Sequence, residues 1–494
     1  MQKPFYITTT LPYVNADPHI GFAMELIRAD SIARYQKLLG REVFFNTGTD
    51  EHGQKLFDAA AKNGEKVQSY VDRFAAKFRE LKPLLTISDE VHFIRTTDAH
   101  HEAAAQKLWQ MVSDNGYIYK KNYQAKYCVG CELEKTDSEL NNEGRCPIHP
   151  NRDIELINEE NYFFALSKIA PLLEKLYAEK PDLVIPAFRF NEMKAFLARG
   201  LEDFSISRLR SKMSWGVPVP GDSEHVMYVW FDALTNYIST LSWPRSAEAG
   251  GEGDPEDLYT KFWIHGEKIQ YCGKDNVRQQ SMMWQGMLLA AGLPTTDHIV
   301  INGFINSGGQ KMAKSLGNVL SPTDIVELFR VPSGELAIDV LRYYLLRHVN
   351  SFEDSDVTIE TIKSHYVSGL ANGLGNLTSR ILTLSEKYCG PWAGGIDMTL
   401  AQKVAEEVRS FDLQKAMNHI WDAIGELDAV IQQEEPFKVV KVDEGAGRAM
   451  ISRHVGSLYE IAQSLAPFMP STSAKIVEAI RENKKPETPL FARL

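Results

Sequence analysis

The chain has 494 residues, 44% of them hydrophobic and 24% charged, with a formal net charge of −11. This balance is ordinary for a globular protein, the length predicts about three domains, and the acidic charge excludes general nucleic-acid binding driven by charge alone. A specific RNA contact stays open, because it needs only a local basic surface.

The sequence contains no run of about eighteen apolar residues, the pattern of a membrane span. Met1-Gln2-Lys3-Pro4 leads into a strand with no apolar signal core, and five cysteines are too few for a disulfide framework. A reducing, cytoplasmic setting is expected.

In chain order, Phe5–Thr10 reads as a strand, Leu11–Phe22 as a turn containing Pro12 and Pro18, and Ile20–Leu39 as a helix closed by Gly40. Glu42–Asn46 and Val91–Arg95 read as further strands, and Glu51-His52-Gly53 opens another helix. This alternation predicts a parallel, Rossmann-like sheet over residues 1–116. Residues 117–224 break into short strands, turns and a cysteine cluster, and read as an insertion. The sheet is expected to resume over 225–302 through strands at His225–Trp230, Phe262–His265 and His298–Ile301. A loop and connecting region spans 303–355. Strands are expected to stop after about Ser351, so that 356–494 forms a helical bundle broken near Gly390–Ile396, Pro436 and Glu444–Gly447, with a loop from Lys484 onward.

Two stretches suit phosphate. His19 and Gly21 stand at a helix start, where N–H groups and the helix dipole favour an anion, and where glycine lets a ligand approach the backbone. Alone, this pattern is better read as a turn glycine and a surface histidine. Far downstream, Lys311-Met312-Ala313-Lys314-Ser315 lies between glycines and offers two lysines as mobile point charges. Alone, it also fits a solvated loop.

Cys128-Val129-Gly130-Cys131 is followed, after fourteen residues, by Cys146-Pro147-Ile148-His149. Two such knuckles make a Cys₃His set suited to tetrahedral zinc, with no position left open for chemistry. Cys272 and Cys389 have no partners in sequence and read as core thiols.

Together the two phosphate stretches resemble the signature motifs of class I aminoacyl-tRNA synthetases. TTTLPYVNADPHIG, NTGTDEHGQK, YCVGCE, ENYFFAL, DFSISR, YVWFDALTNY, GKDN and GGQKMAKSLGN narrow the resemblance to the methionyl-tRNA synthetase family, in that family's order. The resemblance implies ATP-dependent joining of L-methionine to tRNA(Met), initiator tRNA included, through methionyl-adenylate. It implies magnesium with the ATP and a structural zinc, which some members hold with four cysteines.

By the same resemblance, His19, Lys311 and Lys314 serve the triphosphate, and Gly21, Gly273, Asp275 and Ser315 complete the ATP site. Asp50 meets the substrate ammonium. Leu11, Tyr13, Trp230, Ala233, Leu234, Tyr237, Asn276 and Gln280 belong to the methionine site. Trp230, Ala233, Leu234 and Tyr237 have spacings that let them share one face over two helical turns, although such a stripe alone fits core packing. Asn376, Arg380 and Phe437 would read the anticodon, and Asn372, Asn376 and Arg380 would share a helix face. Three positions depart from the family: Phe22 where a second histidine is usual, Gln280 where many members have histidine, and Phe437 in place of tryptophan. Binding alone discriminates a substrate one methyl smaller by only about 1–3 kcal/mol, so the family's editing of homocysteine is expected here too. No additional C-terminal tRNA-binding domain is seen, and a monomer is expected. A synthetase for another apolar amino acid and a non-catalytic RNA-binding relative are the competing readings.

Overall fold

Phe5–Thr9 is wholly buried, and six of the seven residues of Val43–Thr49 are buried, as strands covered on both faces of a parallel sheet should be, although the carboxyl half of each is polar. In the computed structural model, which describes residues 2–131, 133–244, 257–312, 318–395 and 398–494, these two strands pair in parallel. The chain divides into two compact units, Met1–Asp17 with Arg41–Glu80 and Asp89–Ile301, and Pro18–Gly40 with Leu81–Ser88 and Asn302–Leu494.

The first unit holds the central six-stranded sheet, in the order Val91–Arg95, Val43–Thr49, Phe5–Thr9, Glu267–Gly273, His298–Asn302, Val184–Ile185. Its first strand pairs in parallel with both neighbours. Aromatic rings fill one side of it. Tyr6 meets Trp263 edge-on at 5.9 Å between ring centroids, and Trp263 meets Trp284 at 6.2 Å. The insertion forms a four-stranded sheet in which Ile118–Cys128 runs antiparallel to Glu155–Phe164.

Two expected strands of this unit take other forms. Phe262–His265 falls in a helical turn, Tyr259–Ile264, and the sheet strand begins at Glu267. A short, buried apolar run fits either state by periodicity, and here it caps the aromatic core. His225–Trp230 divides as well. Asp222–Met227 is a strand, but it pairs antiparallel with Ser207–Leu209 and Pro218–Val219 outside the central sheet, and Val229 onward is helical. Cys272 is buried, as expected of a core thiol, whereas Cys389 is only half-buried at the end of the Asn376–Tyr388 helix.

In the second unit, helix Ile20–Leu38 is buried along most of its length, including three charged residues, Glu25, Arg28 and Asp30. Arg28 donates to the carbonyls of Leu345, Val349, Asn350 and Ser351, which gather at the end of helix Ala337–Arg347, where the helix dipole favours a cation. Asp30 pairs with the fully buried Arg342 at 2.9 Å, and Arg342 also donates to Phe468 O at 2.6 Å and to Ser31 Oγ at 3.1 Å. Strand pairing continues past Ser351: Ser355–Asp356 pairs with Ile305–Asn306. The helices after Ile359 form the expected bundle. Its break near residue 444 sits at Asp443, whose carboxylate caps the next helix by accepting from Ala446 N at 3.0 Å.

Removing Arg342 takes one cation from Asp30, which keeps Arg34 at 2.8 Å and Ser88 N at 2.8 Å, and takes the donor from the Phe468 carbonyl. Arg342→Leu is expected to destabilise the second unit by about 1–3 kcal/mol, read as a lower urea midpoint for the transition that includes this unit.

Candidate active site and metal centre

Leu11 and Tyr13 follow the strand Phe5–Thr9, Asp50 follows Val43–Thr49, and Gly273 ends Glu267–Gly273 just before Asp275 and Asn276. These are the carboxyl ends of three adjacent strands, and Phe5–Thr9 lies between the other two. Ligands of open α/β sheets bind at such ends. Asp50 is held by backbone: its N–H donates to Pro12 O at 3.0 Å, and its carbonyl accepts from Val14 N at 3.3 Å. The backbone of the Tyr13 loop and that of Asp50 are therefore fixed to one another. Asp275 is exposed, and its Oδ1 lies 2.9 Å from where a Gly273 side chain would begin, so glycine at 273 lets the carboxylate fold back. Asn276 Nδ2 donates to that oxygen at 3.3 Å.

Trp230, Ala233, Leu234 and Tyr237 do not lie on two turns of one helix. They occupy two short helices, Val229–Leu234 and Asn236–Ser239, joined at Thr235. Side-chain bonds tighten the junction: Asn236 Nδ2 donates to Ala233 O at 2.7 Å, and Thr235 Oγ1 to Phe231 O at 3.1 Å. Ala233, Leu234 and Tyr237 are buried, Trp230 is half-buried, and the Trp230 indole N–H is screened from solvent with no hydrogen-bond partner among the described residues. Gln280 is buried and joins this group, donating to Tyr237 Oη at 2.5 Å and accepting from Gln270 at 2.8 Å. Gln270 in turn accepts from Thr296 Oγ1 at 2.6 Å.

Sequence reasoning passed over the charged groups beneath this site. Asp232 is fully buried between His52, at 2.6 Å, and His101, at 2.9 Å. Burial alone would raise the Asp232 carboxyl, but the facing imidazoles outweigh it and hold it down to about 2. Glu51, also fully buried, accepts from Arg95, Thr49 and Thr97 at 2.6–2.8 Å. One signal was available: an aspartate inside the apolar run Val229–Leu234 needs a partner if buried.

In the second unit, the two phosphate stretches come together. Ile20 N donates to Leu320 O at 2.9 Å, and the position a Gly21 side chain would take is 4.0 Å from the Met312 methyl. Gln310–Lys311 forms a short strand with Asn306–Ser307, while Lys314 and Ser315 lie outside the described residues. The helix start differs from the open anion cradle expected. His19 is its N-cap and accepts Gly21 N on Nδ1 at 3.1 Å, while Phe22 N and Ala23 N donate to His19 O. The first-turn donors are thus already engaged, but only Gly21 N by the imidazole, since the His19 carbonyl is a backbone group that any residue supplies. With Nδ1 accepting, a neutral His19 ring carries its proton on Nε2, as a donor to a phosphoryl oxygen requires.

Cys128, Cys131, Cys146 and His149 present ligand atoms all within 4.8 Å of one another. Cys131 Sγ lies 3.4 Å from Cys146 Sγ and 3.2 Å from His149 Nδ1. Three thiols and an imidazole at these separations can hold a metal such as zinc. Gly130 makes room for the ring, since a side chain there would begin 2.4 Å from His149 Cγ.

Asn376 is exposed. Arg380 is half-buried and pairs with Asp428 on the Leu413–Glu434 helix, which leads into Phe437. Phe437 is 40% exposed, with Lys438 Nζ over its ring at 5.9 Å. Asn372, expected to share a face with Asn376 and Arg380, is exposed like Asn376. Residues Tyr366–Gly375 are wound as a π-helix, which changes the angle per residue ahead of Asn376.

No helix among the described residues is long and apolar enough to cross a membrane. The family model described as tRNA synthetases class I (M) matches residues 5–155 and 149–382. The methionine–tRNA ligase of Fusobacterium nucleatum is 37% identical, covering 96% of this chain and 74% of the relative. That of Rhizobium meliloti is also 37% identical, covering 97% and 92%. A structure of Mycobacterium tuberculosis methionyl-tRNA synthetase in complex with methionyl-adenylate has a TM-score of 0.89 at 31% identity, covering 99% of this chain and 100% of that one. The apo form of the same enzyme has a TM-score of 0.82 at 28% identity. The chain belongs to the methionine–tRNA ligase family of class I tRNA synthetases.

Proposed function

We infer how this chain's residues divide the work of its reaction, the ATP-dependent ligation of methionine to tRNA(Met) through methionyl-adenylate. The methionine carboxylate attacks the α-phosphorus of ATP, and pyrophosphate leaves. A hydroxyl of the terminal tRNA ribose then attacks the methionyl carbonyl, and AMP leaves. Neither step needs a protein nucleophile, so positioning and stabilisation of phosphoryl charge carry the catalysis. His19, through Nε2–H, and Lys311, Lys314 and Ser315 serve the triphosphate. Gly21 leaves the helix start approachable, and Gly273 and Asp275 take the adenosine. Magnesium would accompany the ATP and offset phosphate charge.

Asp50 meets the methionine ammonium. Leu11, Tyr13, Trp230, Ala233, Leu234, Tyr237, Asn276 and Gln280 enclose the remainder, where aromatic edges suit a thioether. The Cys₃His centre holds one structural zinc that orders the insertion. Asn376, Arg380 and Phe437 contact the anticodon of tRNA(Met), elongator and initiator alike. The observation that carries the nucleotide assignment is the Ile20–Leu320 backbone bond, which ties the helix start bearing His19 to the segment just beyond the lysine loop.

Three measurements test this reading. Methionine should drive ATP–pyrophosphate exchange, and Lys314→Ala should slow it roughly a hundredfold, the usual effect of losing one charge-stabilising donor, about 3 kcal/mol. Exchange with valine but not methionine would reverse the substrate. Phe437→Ala should raise KM for tRNA about tenfold and leave exchange unchanged, since a base–aromatic stack is worth about 1–3 kcal/mol. Gly130→Val should displace the His149 ring, and metal analysis should find bound zinc well below one per chain.

A further inference from the structure

The division of work above leaves Asp232 without a role, yet it is among the most constrained groups in the first unit. Its Oδ2 is 2.6 Å from His52 Nδ1 and its Oδ1 is 2.9 Å from His101 Nε2. His101 Nδ1 continues the chain to Ser239 Oγ at 2.8 Å. Asp232 and His101 are fully buried, and His52 nearly so. The four residues come from separate places: the end of the Val43–Thr49 strand, helix Ala99–Asp114, and the two short helices Val229–Leu234 and Asn236–Ser239. His52 stands two residues after Asp50, Asp232 directly precedes Ala233, and Ser239 stands two residues after Tyr237. The chain therefore grips the candidate methionine pocket from behind at three points.

Apolar packing would hold this layer together as firmly, because a buried ion pair is poor value for stability alone. What directed, charge-assisted bonds add is geometry, and a binding site needs its contact residues held by a second layer of bonded partners. We propose that Asp232 is a positioning residue: clamped between His52 and His101, it locks the strand end bearing Asp50 to the helical segment bearing Trp230, Ala233, Leu234 and Tyr237. The proposal rests on the reading of those residues as the methionine site.

The clamp also confers a pH dependence. His52 faces Asp232 on Val229–Leu234, Glu102 on Ala99–Asp114, the adjacent Glu51, and the edge of the Trp215 ring at 5.4 Å. His101 faces Asp232 and Ser239. Burial disfavours the His52 cation, but Asp232, with help from Glu102 and Glu51, outweighs it and raises the imidazole above its ordinary value. The charge-assisted form is thus complete below the ordinary histidine value of about 6.5 and is lost as pH rises through the raised one. Grip on methionine should weaken on the alkaline side.

The test is methionine-dependent ATP–pyrophosphate exchange by the full, zinc-loaded chain, followed from about pH 6 to about pH 9. Asp232→Asn should raise KM for methionine about tenfold or more, as loss of a buried charged acceptor does, with KM for ATP within about twofold of wild type. His52→Asn reproduces the Nδ1 donor without its charge. It should hold KM for methionine near the raised alkaline value of wild type at every pH, and so abolish the alkaline rise. A parallel rise in both KM values for Asp232→Asn, or a lowered melting temperature with KM for methionine unchanged, would overturn the clamp. So would an unaltered pH profile in His52→Asn, which decides the matter if Asp232→Asn does not fold. Absence of methionine-dependent exchange in the wild type would instead overturn the pocket reading on which the clamp rests.

Discussion

The buried pair between Asp30 and Arg342 fixes where the helix Ile20–Leu38 belongs. In chain order that helix is the first crossover of the parallel sheet. Its charged residues nevertheless bond to the second half of the chain, with Arg28 closing the carbonyls after Ala337–Arg347 and Arg342 tying Asp30 to Phe468. A charge buried this deeply needs its partner, so the helix is committed to the second unit. His19, at its start, is thereby built into the same body as Met312 and Leu320. Two motifs separated by almost the whole catalytic sequence become neighbours because two buried charged side chains on one helix, Arg28 and Asp30, find partners in the second half of the chain.

On the proposed reading of His19 and Gly21, the helix start sets what a nucleotide would have to displace. Its donors are engaged internally, Ile20 N by Leu320 O and Gly21 N by the His19 ring. A neutral N-cap bond is worth about 1 kcal/mol, and a hydrogen bond to a charged oxygen about 1.5–3 kcal/mol. Exchange of the internal cap for a phosphate is therefore favourable, and the helix need not wait with bare N–H groups. The family's second histidine is Phe22 here, which leaves His19 as the one imidazole at this end of the helix.

How much of this could be read from the residues depended on how local the cause was. Phe5–Thr9, Val91–Arg95 and His298–Asn302 follow from their own apolar and β-branched residues. The Cys₃His set follows from spacing alone, because two-residue gaps between ligands suit one tetrahedral ion. Phe262–His265 was misread as strand because a short apolar run has no period to distinguish strand from buried helix. The wide turns of Tyr366–Gly375, which carry Asn372, leave no mark in the periodicity. Asp232 was invisible for a different reason. Its partners, His52 and His101, lie on separate elements, and only folding shows that the aspartate is a bonded core group and not an interruption of an apolar stripe.

The charged contacts in this molecule fall into two kinds, and exposure separates them. Arg380 pairs with Asp428 while about a third of each side chain stays in solvent, 33% and 35%. Such a pair contributes about 0–1 kcal/mol, so a nucleotide base can take Arg380 from Asp428 at little cost. His19 likewise is exposed, and its cap bond is weak. These are contacts that ligands can exchange. Glu51, Asp232 and Arg342 are fully buried, and breaking any of their bonds leaves a charge with no water to take it. Groups of the first kind suit residues that must change partner in each catalytic cycle. Groups of the second kind suit residues that must hold still while they do. Asp232 belongs to the second kind although it adjoins the candidate pocket, and that is the physical reason to assign it to the support of the site and not to its contact surface.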